Sequence, residues 1–359
     1  MRAAVLRNTG DAELEVVDGV EPIAPGPTDV TVKIEATGVC HSDLHAMDGS
    51  LPQGAPFVPG HEGAGVITAV GDQVSDLAVG DHVVVAWSPP CGQCTYCTER
   101  NQPHLCVMIQ FSIAGTPRFT EGETDLFGMA GTGTFAEYVT LPQEAAVKID
   151  DDVPFEIASL IGCGVSTGVG AAINTAKVEK GSKVVVFGCG GVGISVIQGA
   201  KVAGASVILA VDLVEEKLEM AKRFGATHAC TPDQLAEVQA ELTGDGFDYA
   251  FEAIGVPAVM RQAYDATRRG GTTCVVGVGK MDQQVAFNGF EVFFSEKNFM
   301  GSYYGSVDVR KDFRRFLELW KAGELDLDGM ITKRLSIDQI NEAFDAMKKG
   351  EVIRTVITF

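Results

Sequence analysis

The 359-residue sequence is poor in basic side chains, with 28 Lys and Arg against 48 Asp and Glu, so its formal net charge is -20. A surface of that sign repels phosphate backbones and anionic lipid head groups. Neither a nucleic acid nor a membrane is therefore expected among its partners. The charge says nothing about the fold, because net charge bears on partners rather than on architecture.

The sequence also lacks a long uninterrupted apolar run. The longest weakly charged stretch, Val184 to Val211, has Lys201 as its one charge, but six glycines and Gln198 interrupt it. It contains two different periodicities, which a single membrane-spanning helix would not need. We interpret this stretch as a buried strand, a turn, a helix and a second strand.

Cysteine is scarce over most of the chain, and no apolar signal segment stands at the start, which reads Met-Arg-Ala-Ala-Val-Leu-Arg. A cytoplasmic, reducing location is therefore expected. Four cysteines nevertheless stand close together in the pattern C-x2-C-x2-C-x8-C, at Cys91, Cys94, Cys97 and Cys106. Thiolates at such spacing can converge tetrahedrally on Zn²⁺, so this segment predicts a closed structural zinc site. A pair of disulfides is the alternative, and a reducing location disfavours it.

Composition and length indicate a soluble globular enzyme of two domains, because 46% of the residues are hydrophobic and 21% are charged. The first 150 residues contain short β-rich segments, such as 31–36, 82–86 and 137–141, and predict an irregular β-barrel. From about Cys163 strands alternate with amphipathic helices, as in 183–187 followed by 192–203 and in 249–252 followed by 258–268. That alternation predicts an α/β fold with a doubly wound parallel sheet covered on both faces.

A glycine-rich loop of the form G-x-G-x-x-G follows the apolar segment 183–187 and opens a helix. Its residues include Gly188, Gly190, Gly191, Val192 and Gly193. In this context the glycines permit a tight turn, close approach of a pyrophosphate and close packing of helix on strand.

The next predicted strand ends at Asp212, whose carboxylate can accept hydrogen bonds from the adenosine ribose. The same charge repels the 2′-phosphate of NADP, so NAD is favoured. Lys217 is a candidate for a further ribose contact. As alternatives, Asp212 is a helix N-cap and Lys217 a solvated lysine.

Three further candidate ligands, Cys40, His61 and Cys163, are scattered along the chain. Each alone fits a buried core residue. Together with Gly60-His61-Glu62-Gly63-Ala64-Gly65, the four-cysteine segment, the Gly188 loop and the ending 353–359, they make the chain resemble the zinc-dependent medium-chain alcohol dehydrogenases over nearly its whole length. The resemblance implies a GroES-like catalytic domain, 1–164 and 304–359, interrupted by an NAD-binding Rossmann domain, 165–303.

The resemblance also implies a reactive centre. Cys40, His61 and Cys163 would bind a catalytic zinc, with Glu62 beside them and Asp43 orienting His61. Zinc would make the alcohol easier to deprotonate, Ser42 and His45 would carry the proton to solvent, and the substrate carbon would give hydride to nicotinamide C4. Without the motif, Glu62 and Asp43 would be interpreted as surface acids.

Other positions match cofactor and substrate contacts of that family. Thr167 would lie near the nicotinamide and Arg354 near the pyrophosphate, while His41 stands where several members carry a phosphate-binding arginine. Apolar walls of the substrate pocket are expected from four residues, which favours an aromatic or medium-chain alcohol: Leu51, Trp87, Phe127 and Met129.

Two departures from the family pattern affect these expectations. The last spacing of the four-cysteine segment is x8 rather than the commoner x7, which a loop bulge accommodates. The segment Met108–Gly133 is typical of longer, often dimeric members, so a homodimer is favoured over a homotetramer.

Three other functions remain open. One is a dehydrogenase of S-(hydroxymethyl)glutathione, which is ranked second because Gln110 and Gln53 stand where such enzymes carry charged residues around the substrate mouth. Another is an alcohol dehydrogenase whose NAD never leaves. The last is a zinc-containing sensor of NADH, which would not need Ser42 and His45.

Overall fold

The computed structural model describes residues 1–359, apart from the side chain of Ile113. The chain forms two compact units, one comprising 1–164, 308–320 and 327–359 and the other 165–307 and 321–326. The strands are β1 (Ala3–Val5), β2 (Glu15–Val17), β3 (Val20–Pro22), β4 (Asp29–Gly38), β5 (Phe57–Val58), β6 (Glu62–Val70), β7 (His82–Val85), β8 (Phe119–Glu121), β9 (Thr124–Gly128), β10 (Tyr138–Pro142), β11 (Ala146–Lys148), β12 (Lys183–Phe187), β13 (Val207–Val211), β14 (His228–Cys230), β15 (Phe247–Glu252), β16 (Thr267–Val275), β17 (Asn298–Gly301), β18 (Ile331–Ser336) and β19 (Arg354–Thr358).

Helices connect these strands and cover the sheets. They are α1 (His41–Met47), α2 (Thr95–Thr98), α3 (Met108–Ala114), α4 (Phe155–Leu160), α5 (Ser166–Gly170), α6 (Gly191–Val202), α7 (Glu215–Arg223), α8 (Leu235–Leu242), α9 (Pro257–Ala266), α10 (Gly289–Ser295), α11 (Val309–Lys321) and α12 (Ile340–Lys348).

The first unit is built around β4, which pairs antiparallel with β6, β10 and β19. The main sheet has the order β11-β7-β6-β4-β19-β18, and smaller sheets join β1 to β2 and β3-β8-β9-β5. Side chains of β4 are mostly buried because the strand lies in the middle of its sheet. The core contains large aromatic residues, among which Phe135 and Phe344 pack edge to face with ring centroids 6.0 Å apart. Pairing of β19 with β4 brings the C-terminal segment into this unit.

The second unit is a six-stranded, wholly parallel sheet in the order β14-β13-β12-β15-β16-β17. The apolar runs of β12 and β13 are almost completely buried, as expected for central strands covered on both faces. The predicted α/β class is therefore confirmed. One boundary was wrong: the helix expected at 258–268 ends at Ala266, because Thr267 is extended and already begins β16.

One long helix, Phe155–Thr175, consists of α4 and α5 alternating with two π-helical segments, Ile161–Val165 and Ala171–Thr175. By length and composition it could cross a membrane, but 83% of its most apolar window is buried inside the protein. Burial of that kind is typical of a core helix. The first π-helical segment contains Cys163, and such segments often occur at functional sites.

Candidate functional site

Four side chains from three separate segments converge in the first unit: Cys40, His61, Glu62 and Cys163. Their ligand atoms all lie within 4.8 Å of one another, and all four residues are buried. Pairing of β4 with β6 sets Gly38 opposite Glu62, so the residues just after β4 and just before β6 become neighbours. The π-helical segment of the long helix supplies Cys163. The spacing of these residues along the chain gave no sign of this convergence; only the resemblance did.

Local backbone geometry shapes this site. Gly60 has a φ of +90°, and a Cβ there would lie 2.7 Å from the backbone nitrogen of Phe135, so only glycine fits before His61. Cys40 has an extended backbone and is the N-cap residue of α1, which begins three positions after the end of β4. Both features define the backbone from which two of the clustered side chains extend.

Asp43 fixes the orientation of the His61 ring. It is fully buried, and its Oδ1 accepts hydrogen bonds from His61 Nδ1 at 3.0 Å and from the Gly60 N–H at 3.1 Å. Its Oδ2 accepts from the Cys40 N–H at 2.9 Å. Because a carboxylate can only accept, Nδ1 carries the proton and Nε2 is left to face the cluster. The alternative of a surface acid is thus wrong for Asp43.

Neighbouring charges and hydrogen bonds shift the pKa values of two residues in this cluster. Burial favours the neutral His61 ring, but the Asp43 carboxylate and the Cys40 sulfur outweigh it and raise the pKa of His61 to about 10. Hydrogen bonding from Cys163, followed by the nearby His61 charge, lowers the pKa of Cys40 well below its usual value. A lowered thiol pKa favours the form of Cys40 that binds a metal ion, and metal binding would compete with a proton at His61.

Glu62 forms an ion pair with Arg354, and both side chains are buried. Glu62 Oε1 also accepts a hydrogen bond from the Gly164 N–H at 3.2 Å. A Cβ at Gly164 would lie 3.1 Å from the Arg354 guanidinium, so this glycine makes room for the pair. Both residues were predicted to act in binding or catalysis, but their pairing was not predicted from the sequence. The one sign of this ion pair in the sequence was that each of the two opposite charges stands in an apolar or glycine-rich segment.

The second cluster consists of the four sulfurs of Cys91, Cys94, Cys97 and Cys106, also within 4.8 Å of one another. The Cys94 and Cys97 sulfurs are 3.6 Å apart, too far for an S–S bond, and all nine cysteines of the chain are free thiols. Within the x8 spacing, Asn101 has a φ of +50°, which asparagine tolerates.

Protons are distributed unevenly over these thiols. Hydrogen bonding from the Cys97 backbone lowers the pKa of Cys94 to about 7, whereas burial raises the pKa of Cys97 to about 12 and raises that of Cys106. Four convergent sulfurs, two of which belong to thiols with raised pKa values, fit a zinc site that fills with proton release.

Helix α1 carries the other predicted catalytic residues. Ser42 and His45 are three positions apart and therefore share a face of the helix, and both are partly exposed. The Leu51 N–H donates to the His45 carbonyl at 2.8 Å, which ties the following loop to the helix. His41, at the first position of α1, is exposed.

The predicted pocket residues lie in different loops of the first unit. Trp87 packs edge-on to His61, with ring centroids 6.4 Å apart. Phe127 lies on β9, paired with β5, and Met129 is buried in the turn that follows. Gln53 Oε1 accepts a hydrogen bond from the Ala130 N–H at 3.3 Å, joining that turn to the loop that contains Leu51. Trp87 is thus a predicted pocket residue that contacts the cluster.

In the second unit, the glycine-rich loop joins β12 to α6. Gly188 has a φ of +93°, and Gly190 is the N-cap of α6, followed by Gly191 and Val192 in its first turn. A Cβ at Gly193 would collide with the Gly188 carbonyl, so close packing of helix and strand requires glycine there. The loop leaves backbone N–H groups at the helix N-terminus, where phosphates bind well.

Asp212 follows β13 beside this loop. Its Oδ2 accepts from the Cys189 N–H at 2.8 Å and its Oδ1 from the Val214 N–H at 3.0 Å. The N-cap of α7 is Val214, so Asp212 is not the cap. Burial raises the pKa of the Cys189 thiol, and the charge of Lys217 on α7 opposes this rise. Thr167 lies on α5.

Two known families match parts of the chain, and known proteins match nearly all of it. The family described as "Alcohol dehydrogenase GroES-like domain" matches residues 26–151, and "Zinc-binding dehydrogenase" matches residues 191–322. It is 40% identical to "Alcohol dehydrogenase class-3" of Caenorhabditis elegans, covering 96% of this chain and 93% of the relative.

It is also 38% identical to "S-(hydroxymethyl)glutathione dehydrogenase" of Paracoccus denitrificans, covering 100% of this chain and 99% of that protein. Among solved structures, benzyl alcohol dehydrogenase from Acinetobacter calcoaceticus superposes with a TM-score of 0.91 at 35% identity, covering 100% of this chain and 99% of the other.

Proposed function

Because the chain belongs to the zinc-dependent alcohol dehydrogenase family, we propose that it oxidises a primary or secondary apolar alcohol with NAD, and reduces the corresponding carbonyl compound with NADH. The convergence of the Cys40, His61 and Cys163 ligand atoms within 4.8 Å, in a buried site, carries this proposal. Two sulfurs and one imidazole nitrogen are a donor set that zinc prefers when a fourth position stays open for substrate.

We assign the three ligands to Cys40, His61 and Cys163. Glu62 lies in the same cluster, but its ion pair with Arg354 and its bond from Gly164 engage both carboxylate oxygens, so we give it a supporting role. When bound, zinc supplies Lewis acidity that favours loss of the alcohol proton. Asp43 holds the His61 ring in the tautomer that leaves Nε2 available.

The proton of the alcohol is assigned to Ser42, with His45 passing it to solvent. Both residues lie on one face of α1, directly after Cys40, and both are partly exposed. An imidazole exchanges protons readily near neutral pH. Cys91, Cys94, Cys97 and Cys106 are assigned to a second, structural zinc, because four sulfurs close the coordination shell.

NAD is assigned to the second unit, which we propose as a Rossmann domain at 165–303. The Gly188–Gly193 loop would receive the pyrophosphate, and Asp212 the adenosine ribose, with Lys217 beside it. Thr167, Arg354 and His41 remain proposed cofactor contacts. The thiolate ligands of both clusters suit a reducing compartment, which supports a cytoplasmic location.

The substrate is proposed to be an aromatic or medium-chain alcohol. Trp87 lies against His61, and Leu51, Phe127 and Met129 are the other proposed walls. A second candidate, S-(hydroxymethyl)glutathione, is favoured by the name of the Paracoccus relative. The bond between Gln53 and Ala130 argues against it, since that position carries an amide engaged with the backbone rather than a free charge for an anionic adduct.

Two assays separate these candidates. The first assay compares kcat/KM with NAD, followed by NADH absorbance, for benzyl alcohol, medium-chain alcohols and S-(hydroxymethyl)glutathione. The value should be higher for the alcohols than for the glutathione adduct. A strong preference for the adduct would reverse the ranking. Denaturing the purified protein should release little NADH. One NADH released per chain would instead indicate a permanently bound cofactor.

We further propose a homodimer that forms through the outer edge of β17. All four residues of this edge strand are exposed, including Phe299 and Met300. Beside it, α10 exposes three more aromatic rings, Phe290, Phe293 and Phe294. An open edge strand with exposed apolar side chains is an aggregation hazard, and a second copy of the same edge can pair with it antiparallel.

A further inference from the structure

The loop 129–134 begins and ends against the segment that leads into His61. At its start, the end of β9 pairs in parallel with β5. At its end, the chain returns to the residues that follow β5, where the Phe135 N–H donates to the Pro59 carbonyl at 3.0 Å. Both ends of the loop are therefore attached to backbone that lies just before the proposed zinc ligand.

The carbonyl oxygen of Gly60, the residue before His61, is the main anchor of this loop. It accepts hydrogen bonds from the Thr134 N–H at 2.9 Å, the Gly133 N–H at 3.1 Å and the Thr132 hydroxyl at 3.1 Å. A carbonyl oxygen has two lone pairs, so three donors saturate it. One peptide group thus joins the loop to the ligand side chain that follows it.

The Thr132 hydroxyl makes a second bond, within the loop. Thr132 is 0% exposed, and its hydroxyl also donates to the Met129 carbonyl at 2.8 Å. Because a hydroxyl carries one proton, this proton is shared between the carbonyls of Met129 and Gly60. A single oxygen atom therefore connects the backbone of the proposed pocket wall to the residue before His61.

The backbone of the loop is strained and depends on such anchors. Ala130 has a φ of +49°, a left-handed value that alanine rarely adopts, and Gly131 follows with a φ of +76°. A Cβ at Gly128 would lie 2.8 Å from the Thr132 carbonyl oxygen, so the chain folds tightly on itself. At the tip, the Ala130 N–H donates to Gln53 Oε1. Conformations of this kind persist only where neighbouring groups hold them.

Met129 makes the shape of this loop relevant to the substrate. Its side chain is buried, and it is one of the proposed walls of the alcohol pocket. Methionine is unbranched and adapts easily to its surroundings, so its position depends on where its backbone is fixed. If the backbone of Met129 moved relative to His61, the space available to an alcohol would change.

We infer that Thr132 is a positioning residue for substrate selectivity, because its hydroxyl fixes the Met129 wall relative to the backbone that carries His61. Thr132 does not touch the substrate. The inference deepens the proposed alcohol oxidation and rests on it. A wall that contacts the non-reacting part of an alcohol binds the substrate and the transition state equally, so its displacement raises KM and leaves kcat nearly unchanged.

Thr132→Val removes the hydroxyl and leaves both carbonyls with donors. The Gly60 carbonyl keeps the two N–H bonds from the loop, and the Met129 carbonyl keeps the bond from the Thr132 N–H at 2.9 Å. No buried carbonyl is orphaned, so the variant should fold. The change amounts to the loss of one net hydrogen bond, which corresponds to about fivefold in an equilibrium constant.

The test compares benzyl alcohol, which is long enough to reach a pocket wall, with ethanol, which is not. In Thr132→Val, KM for benzyl alcohol should rise about fivefold, whereas KM for ethanol and both kcat values should change by less than about twofold. The zinc content should equal that of the wild type, since no proposed ligand is altered. Amide hydrogen exchange of a peptide covering 128–135 should become faster.

Two further variants separate positioning from stability. Thr132→Ser keeps the hydroxyl and should restore the KM for benzyl alcohol and the slow exchange. Thr140→Val is the matched control, because Thr140 is also fully buried and its hydroxyl donates to the Ile23 carbonyl at 2.7 Å, outside the loop. It should keep the wild-type KM for both alcohols. If Thr132→Val does not fold, Gln53→Ala releases the tip of the loop and should raise KM for benzyl alcohol alone.

An unchanged KM for benzyl alcohol in Thr132→Val, an equal rise for both alcohols, or the same rise in Thr140→Val would overturn the inference. Loss of zinc together with a lower kcat would also overturn it, because Thr132 would then support the metal ligand rather than the wall. A wild-type protein that oxidised neither alcohol would overturn the proposed function, whereas the hydrogen-exchange comparison tests the anchoring of the loop independently of turnover.

Discussion

Replacing Asp43 with Asn should empty the proposed catalytic zinc site while leaving the fold intact. The Asp43 carboxylate accepts three hydrogen bonds, from His61 Nδ1 and the Gly60 N–H on one oxygen and from the Cys40 N–H on the other. An amide has a single acceptor oxygen. Whichever way it is turned, its NH₂ group faces at least one of these donors, and a buried donor is left unpaired.

The size of this effect follows from that geometry. One unpaired buried donor costs about 1–3 kcal/mol. Applied to zinc binding, that corresponds to an affinity lower by roughly tenfold to a hundredfold, the range expected when a residue behind a metal ligand is altered. Loss of the carboxylate charge also lowers the zinc affinity, because the neutral amide no longer stabilises the His61 ring that donates to zinc.

The assay is the zinc content per chain after dialysis against increasing chelator, alongside NAD-dependent turnover. The variant should fall from two zincs towards one at chelator concentrations that the wild type withstands, and its turnover should fall in parallel. Asp151→Asn, in an exposed turn, is the matched control and should behave as the wild type. An Asp43→Asn protein with both zincs retained and normal turnover would refute the reasoning.

Four other predictions can be checked separately. Asp212→Ala should lower kcat/KM for NAD by about tenfold or more and raise that for NADP, since the ribose acceptor and the repulsion are both lost; unchanged cofactor preference would contradict the assignment. Cys94→Ser should remove one zinc and lower the melting temperature, whereas unaltered zinc content would exclude the four-sulfur site. Burial raises the pKa of Glu252, so its protonated form stabilises the fold below the unfolded value of about 4.5, and this contribution is lost as pH rises through the raised folded value. The free energy of unfolding of Glu252→Gln, measured with urea, should therefore rise relative to that of the wild type as pH increases above about 4.5, and a difference that stays constant with pH would contradict this. Phe293→Glu, at an 80% exposed position, should convert the dimer to a monomer in light scattering, whereas Phe111→Glu, 73% exposed in the other unit, should not.

Features carried by short sequence patterns were predictable. The four cysteines fall within one short segment, so their convergence needs only local turns, such as that at Asn101. The Gly188 loop was predictable for the same reason, because strand, glycines and helix are consecutive. The parallel sheet followed from the apolar runs of β12 and β13, and the family resemblance, which the comparisons confirm, connected Cys40, His61 and Cys163.

Features that depend on distant contacts were not predictable. The Glu62–Arg354 pair joins the start of β6 to the start of the C-terminal strand, and neither neighbourhood indicates its partner. The early start of β16 reflects its pairing with β15, which overrode a helical pattern. The burial of Glu252 is accompanied by a turn in the loop after β15 that brings three N–H groups onto one oxygen. An acid that ends an apolar strand was the sole sign in the sequence.

The central claim is that a reactive zinc is held by Cys40, His61 and Cys163. It is tested most directly by counting zinc in the wild type and in Cys163→Ala while measuring NAD-dependent oxidation of benzyl alcohol in both. The wild type should contain two zincs per chain and turn over, and the variant should contain one and be inactive. Turnover retained in the variant, or an active wild type with a single zinc, would contradict the account.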